Sequence, residues 1–463
     1  MKNKITIVVL TGLFMLGAFN MQVKAEDSES ENSVDKVEIL VVYDENTSKE
    51  NQQKALEEAG LNQDAVVKTY SDLCTTCIEV DKQDQKKIIE DIEKNPNVQF
   101  AQPNCKIQFN KEKNIFNKFD INKEYKNKHC KYSKHKEITI NDYYYSLQWG
   151  IENTGQEIYQ EGIAGIDANV KKAWNITKGN KRVLVGVLDA GIDINHVDLT
   201  ENIYVNKKEI PENGIDDDKN GYIDDINGWD FKNKDNSVFD SYEEDYHGTY
   251  VASILGSPLN DIGMVGVCPN VTVVPLKFMS SIDGGSTNDA VEAIEYARRL
   301  GVKIINCSWC TSKYNPALEE IMRRSRILFV CSSGNNGINI DETPVYPACF
   351  DIKNVLTVGT IDNRGDEVKD SNYGKKNVDV LAPGDAILGA FPQDMFYATN
   401  GTSASCPFVA GEAALIMSVN PRISPTHLKE CIMRAVTKDE RYSNVKTKGR
   451  IDVYKAVRNS LHR

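Results

Sequence analysis

What most constrains the fold of this chain is a set of short runs that are apolar at nearly every position. They occupy 182–189 (Arg182-Val183-Leu184-Val185-Gly186-Val187-Leu188-Asp189), 271–276, 302–308, 327–332 and 355–359. A strand that alternates apolar and polar residues buries one face. A continuous run buries both, the state of a parallel strand covered by helices above and below. Between the runs lie stretches with helical patterning, such as 287–300 and 315–325. Strand and helix in alternation predict an α/β fold built on a doubly wound parallel sheet. Sites in such sheets form beyond the carboxyl ends of the strands. Asp189 and Ser308 stand near two of those ends, and Asn335 lies in the loop beyond a third.

At 463 residues the chain exceeds what one core usually serves, so other segments are expected before the sheet. Residues 1–25 open with Lys2 and Lys4, run on apolar through 5–19 and reach Val23-Lys24-Ala25, the pattern of a signal peptide. That run is short for a bilayer span, and no later stretch reads as long and apolar enough to cross. A mature form without a membrane span is expected, secreted or in the lumen of a secretory compartment. Residues 26–110 mix strand-like runs (37–43, 77–80, 98–103, 105–109) with helix-like ones (51–59, 82–94) and predict a small α+β domain. In 111–144 lysine, asparagine and tyrosine dominate without an apolar period, as in a solvated linker open to proteases. Residues 145–463 hold the sheet. The net charge of −12 speaks against nucleic acid as a partner. Eleven cysteines in an oxidising compartment predict disulfides, with at least one cysteine left over.

The chemistry centres on Asn400-Gly401-Thr402-Ser403-Ala404-Ser405, a tight turn leading into the apolar helix-like stretch beyond it. A hydroxyl at a helix N-terminus lies beside free N–H groups and the positive end of the dipole, which together can hold a developing anion. The rival reading is a capped core helix, because Thr402 and Ser403 are also good caps. His247-Gly248-Thr249 places an imidazole at the head of a helix-like stretch, and Asp189 supplies a carboxylate. Asp189, His247 and Ser403 are the three residue types that activate a hydroxyl, in one of the known chain orders. Ser332-Ser333-Gly334-Asn335 follows an apolar run, and the Asn335 amide is a candidate donor to a tetrahedral oxyanion.

A second informative stretch precedes His247. Asp216-Asp217-Asp218-Lys219-Asn220-Gly221-Tyr222-Ile223-Asp224 has carboxylate and amide oxygens alternating up to a sharp Gly turn, close to the opening of an EF-hand loop. The candidate Ca²⁺ ligands are Asp216, Asp218, Asn220, the Tyr222 carbonyl and Asp224, in a structural role. A solvated acidic loop is the alternative.

The motifs Val187-Leu188-Asp189-Ala190-Gly191, His247-Gly248-Thr249, Ser333-Gly334-Asn335 and Gly401-Thr402-Ser403, in this order, resemble those of the subtilisin-like serine proteases. The likeness runs from about Leu147 to the last helices. It implies that Asp189, His247, Ser403 and Asn335 are the catalytic set and that protein or peptide substrates bind extended. Ser308, Trp309 and Cys310 would form one wall of the cleft, Ser332, Ser333 and Gly334 the other, with Gly284 and Gly285 at its border. The α+β domain is similar to the family's propeptide, which implies an intramolecular inhibitor and a zymogen cleaved in the Lys-rich linker. Three positions depart from the family pattern: Ala190 for Ser or Thr, Cys310 for Gly, and Ala404 with Phe408 for Met and His. No triad member is lost, so an active enzyme is expected. The competing expectation is a catalytically weak relative that acts as a binding or scaffold protein.

Overall fold

The computed structural model describes residues 35–107 and 140–461. The segments expected as a signal peptide (1–25) and as most of the linker (111–144) lie outside the described residues.

The first domain consists of β1 (Lys36–Tyr43), α1 (Lys49–Glu58), β2 (Val66–Tyr70), β3 (Thr75–Asp81), α2 (Gln85–Ile92) and β4 (Val98–Pro103). Its antiparallel sheet has the order β2-β3-β1-β4. Residues 39–43 are apolar throughout because the two faces of β1 enter different cores. Ile39, Val41 and Tyr43 pack with Ala55, Leu56 and Ile92 of the domain's own helices. Leu40 and Val42, with Tyr70, Leu73 and Cys77, join the core of the larger domain instead. Burying each such aliphatic side chain contributes about 1.5–3 kcal/mol, so the second face is a docking surface. β2 escapes the sequence pattern, since its Val-Val-Lys-Thr-Tyr is only partly buried.

After β5 (Lys106–Ile107) the chain enters the larger domain with α3 (Val170–Ala173) and β6 (Gly179–Asp189). Next come β7 (Trp229–Asp230), α4 (Tyr242–Gly256), β8 (Asn270–Lys277), β9 (Met279–Ser280), β10 (Gly284–Ser286) and α5 (Thr287–Leu300). β11 (Ile304–Cys307), α6 (Pro316–Arg324), β12 (Leu328–Ser332), β13 (Val355–Ile361) and β14 (Val380–Pro383) complete the alternating part. The chain closes with β15 (Ile387–Phe391), β16 (Met395–Thr399), α7 (Thr402–Val419), α8 (Pro425–Ala435), β17 (Thr437–Lys438), β18 (Gly449–Arg450) and α9 (Val453–Ser460). The nine-stranded sheet runs β17-β18-β14-β13-β12-β11-β6-β8-β7 and is parallel except for β17. It is the doubly wound α/β sheet predicted from the apolar runs. α4 and α7 pack on each other, as do α5 and α6, and the first domain sits on α5 and α6.

Local chemistry fixes the helix starts. Ser286 and Asp289 form a capping box at α5, and Asn315 caps α6 ahead of Pro316. α4 begins earlier than its apolar pattern suggests. Ser241 caps it and Glu243, Glu244 and Asp245 fill the first turn, where the dipole favours acids, so His247 stands inside the helix and not at its head.

Two expectations are corrected. α7 is an 18-residue helix with a mean hydropathy of 1.2, apolar and long enough to cross a bilayer, but 89% of it is buried in this domain's own core. Cys74, Cys77, Cys105, Cys268, Cys307, Cys331, Cys349, Cys406 and Cys431 are free thiols, not disulfides. Cys74 and Cys77, close in the chain, face different layers. Cys77 joins the core of the larger domain while Cys74 packs on the first domain's own helices. Cys307 is fully buried within β11, in register with Cys331 on the neighbouring strand.

Candidate active site

The carboxyl ends of β6 and β11 and the start of α7 converge. Asp189 ends β6 and is fully buried. Its Oδ1 accepts the Ala190 N–H at 2.7 Å and lies 2.7 Å from His247 Nδ1. Oδ2 has no hydrogen-bond partner among the described residues, which is where a hydroxyl at position 190 would add one. Ser403 is the second residue of α7. Its Oγ donates to the Ser308 carbonyl at 3.0 Å, and Ser308 Oγ donates back to the Ser403 carbonyl at 3.0 Å. Ser308 thus ties the end of β11 to the start of the helix.

Asn335 lies over that same helix start. Its Oδ1 accepts from Thr402 N–H at 2.8 Å and from Thr402 Oγ1 at 2.9 Å, which fixes the amide plane. Gly401, at φ +136°, makes room for it: a Cβ there would stand 3.1 Å from Asn335 Nδ2. The Asn335 amide is thereby held over the helix start that carries Ser403.

Of the expected walls, Trp309 is buried at 2% exposure, its ring tilted on Phe278 and its Nε1 donating to the Leu188 carbonyl at 2.9 Å. Its indole therefore belongs to the core and not to an open wall. Cys310 Sγ lies against Gly334, 3.1 Å from where a Cβ on that glycine would stand, so the two walls approach each other there. Ser332 ends β12, and Ser333 Oγ donates to the Asn372 carbonyl at 3.1 Å. Gly284 and Gly285 lie on β10, which pairs with β9 on one side and with β5 on the other. Ile107 stands opposite Gly285 and Lys106 opposite Ser286. The segment that leads into the linker is thereby an added antiparallel strand, with Ile107 only 3% exposed.

The first domain is held on α5 and α6 by polar contacts at their ends. Tyr70 OH donates to Asn288 Oδ1 at 2.7 Å, and Asn104 Oδ1 accepts the Asn288 N–H at 2.9 Å. Gln102 Nε2 donates to Asn315 Oδ1 at 3.0 Å, and Arg324 reaches the carbonyls of Leu73 and Tyr43, both at 2.9 Å.

In the acidic insert between β6 and α4, Glu209, Asp216 and Asp218 bring carboxylate oxygens within 4.8 Å of one another. Glu209 Oε1 accepts the Asp218 N–H at 2.8 Å, while its Oε2 is buried without a partner. Asp216 accepts N–H groups of Asn220 and Gly221 at 3.0 and 2.8 Å, so the turn is already folded around it. Asn220 Oδ1 is engaged by the Tyr222 N–H, and Asp224 is turned onto the N–H groups of Asn213 and Gly214 at 3.2 and 2.9 Å. Three clustered hard oxygens with one orphaned carboxylate atom fit Ca²⁺. The sequence pattern does not reveal Glu209, because it precedes the D-x-D-x-N-G spacing. Nor does it reveal the buried Asp198. Asp198 is fully buried, with Oδ2 accepting the Met264 N–H at 2.8 Å and Oδ1 unpartnered; burial pushes its carboxyl up to about 8. Asp142, itself 4% exposed, adds to that rise and accepts the Asn260 N–H at 3.3 Å.

Comparison with known proteins agrees with this geometry. Residues 180–450 match the model of the subtilase family (peptidase S8), and residues 21–104 match that of the fervidolysin N-terminal prodomain. Subtilisin-like protease 1 of Plasmodium berghei (strain Anka) is 31% identical over 366 residues, covering 73% of this chain and 59% of that protein. Subtilisin-like protease 2 of Plasmodium falciparum (isolate 3D7) is 34% identical over 258 residues, 54% of this chain but only 18% of that protein. The chain thus spans less than two thirds of these two relatives' length. A thermophilic serine proteinase of Bacillus sp. (strain AK1) is 27% identical over 91% of this chain and 87% of its own. A solved protease structure from Pseudoalteromonas arctica covers 70% of this chain with a TM-score of 0.55 at 22% identity, a likeness of fold.

Proposed function

This chain belongs to the subtilase family, and from that premise we propose that it is a serine endopeptidase made as a zymogen, secreted or held in the lumen of a secretory compartment. The observation that carries the reading is the buried Asp189–His247 contact of 2.7 Å at the sheet edge where Ser403 opens α7. Ser403 Oγ attacks the scissile carbonyl and passes its proton to His247 Nε2, which returns it to the leaving amine. Asp189 Oδ1 holds Nδ1–H, fixing the tautomer and stabilising the imidazolium. The Ser403 N–H and Asn335 Nδ2 receive the oxyanion. An extended peptide adds as a strand to β10, so main-chain bonds supply affinity. In the zymogen that place is taken by β5, which makes the first domain the intramolecular inhibitor. Glu209, Asp216 and Asp218 would hold a structural Ca²⁺; bound calcium would supply the positive charge that orders this loop.

Mass spectrometry of the purified chain beside its Ser403→Ala variant tests the proposal. Cleavage of the wild type within 111–144, with the variant intact, is the expected result. Two intact chains, with no cleavage of a peptide library in calcium, would refute it.

A further inference from the structure

Beside Asp189 the sheet edge carries a second set of buried charges that the reaction itself does not use. Lys277 ends β8 in register with Asp189 on β6 and with Asp230 on β7. In-register residues of neighbouring strands share a face, so Asp189, Lys277 and Asp230 form a row across the edge. Lys277 is fully buried. Its Nζ lies 3.0 Å from Asp245 Oδ2 and 3.3 Å from Asp230 Oδ2, and it also meets Asp240 Oδ2. Burial opposes the ammonium charge, but these carboxylates outweigh it and hold Lys277 above its ordinary pKa.

Asp245 faces both ways. It lies on α4, two residues before His247, and its Oδ1 accepts the N–H of Gly191, two residues past Asp189, at 2.9 Å. Its Oδ2 takes Lys277 and the Asp240 N–H. Nothing larger than glycine fits at 191: a Cβ there would stand 2.7 Å from Asp245 Cγ and 2.4 Å from the Val238 carbonyl. The carboxylate therefore bolts the turn that carries Asp189 to the helix that carries His247, and Lys277 is its counter-charge.

We propose that Lys277 is a positioning residue that sets the Asp189–His247 geometry through Asp245. Without its ammonium, Asp230 and Asp245, both fully buried, lose their balancing charge. A buried carboxylate left unpaired must take up a proton or move toward water. Either change loosens the Gly191 N–H bond and the aim of Asp189 at Nδ1. Misplacing a catalytic group by about 1 Å costs on the order of 10²-fold in rate. Asp230 ends β7 and Asp240 lies between β7 and α4, so the order of that segment reaches the dyad by the same route.

This inference rests on the peptidase reading. Its test compares self-processed wild type with Lys277→Met, Lys277→Arg, Asp245→Asn and the Met/Asn double variant on one peptide substrate across pH. Lys277→Met should lower kcat by about 10–100-fold with KM nearly unchanged, the signature of a contact that matters in the transition state. The acidic limb of the kcat/KM profile should move, because Asp189 stabilises the imidazolium. Lys277→Arg should recover part of the loss, and the double variant should be no worse than the worse single one. The proposal is overturned if Lys277→Met changes only thermal stability, or if the two losses in kcat multiply. Should Lys277→Met fail to fold, Asp245→Asn, neutral and nearly isosteric, carries the test alone, and wild-type kcat and pH profile in it overturn the proposal. A wild type that cleaves nothing would sink the peptidase reading; an active wild type with unaffected variants sinks only this one.

Discussion

Replacing Glu412 by glutamine should make the chain's stability less sensitive to pH. Glu412 lies on α7, fully buried, and neither carboxylate oxygen has a hydrogen-bond partner among the described residues. Burial, with the Asp452 charge adding to it, raises its pKa well above the ordinary value, so the folded protein keeps it protonated. An unfolded chain releases that proton near pH ~4.3. Below that point both states hold the proton and nothing changes. Above it the unfolded state alone ionises, and folding stability falls by about 1.4 kcal/mol per pH unit until the folded group titrates. Glutamine keeps the shape and cannot ionise, so above that point its stability relative to wild type should climb by about 1.4 kcal/mol per pH unit until the folded group titrates. A buried amide without partners has its own cost of about 1–3 kcal/mol. That cost does not depend on pH, so the slope decides and not the offset. Urea unfolding in a Ser403→Ala background, which removes self-digestion, reads it directly. A difference between Glu and Gln that stays constant across this range would refute the reasoning, since it would mean that Glu412 is ionised in the folded protein.

Asn335→Ala should lower kcat by about 10²–10³-fold at similar KM, the effect of removing one oxyanion donor; steady-state kinetics on a peptide ester or amide would check it. Arg324→Ala removes two charge-assisted bonds to first-domain carbonyls, each worth about 1.5–3 kcal/mol. The cleaved first domain should leave on the order of 10²–10⁴-fold faster, seen as an earlier onset of activity after processing. Glu209→Gln removes a carboxylate charge from the cluster with Asp216 and Asp218. Calorimetric titration should find calcium bound about tenfold more weakly, and chelator should lower the melting temperature of the wild type more than that of the variant.

How much of this is legible beforehand depends on the range of the signal. The apolar runs name the strands because full burial demands apolar residues at successive positions, and the helix caps at Ser286 and Asn315 are chosen by neighbours three residues away. Asp189, His247, Ser403 and Asn335 stand out because each lies in a short motif whose local turn needs its own glycine or helix start. β2, short and only partly buried, has no such pattern, and Trp309 is expected on the cleft wall although its indole is in the core. The cysteine count raises an expectation of disulfides, but which layer a thiol faces is not a matter of spacing, and Cys74 and Cys77 face different ones.

The sequence by itself determined the parallel sheet, the order of its elements and the residue types gathered for the chemistry, because period and local motif act over a few residues. Tertiary structure alone decided that Glu209 turns back onto Asp216, and that β5 lies along β10. It also decided that a lysine at the end of β8 balances carboxylates from β7, the insert and α4. Those contacts join residues far apart in the chain. Their partners are selected by burial and by the need to satisfy charge, and neither leaves a spacing to read.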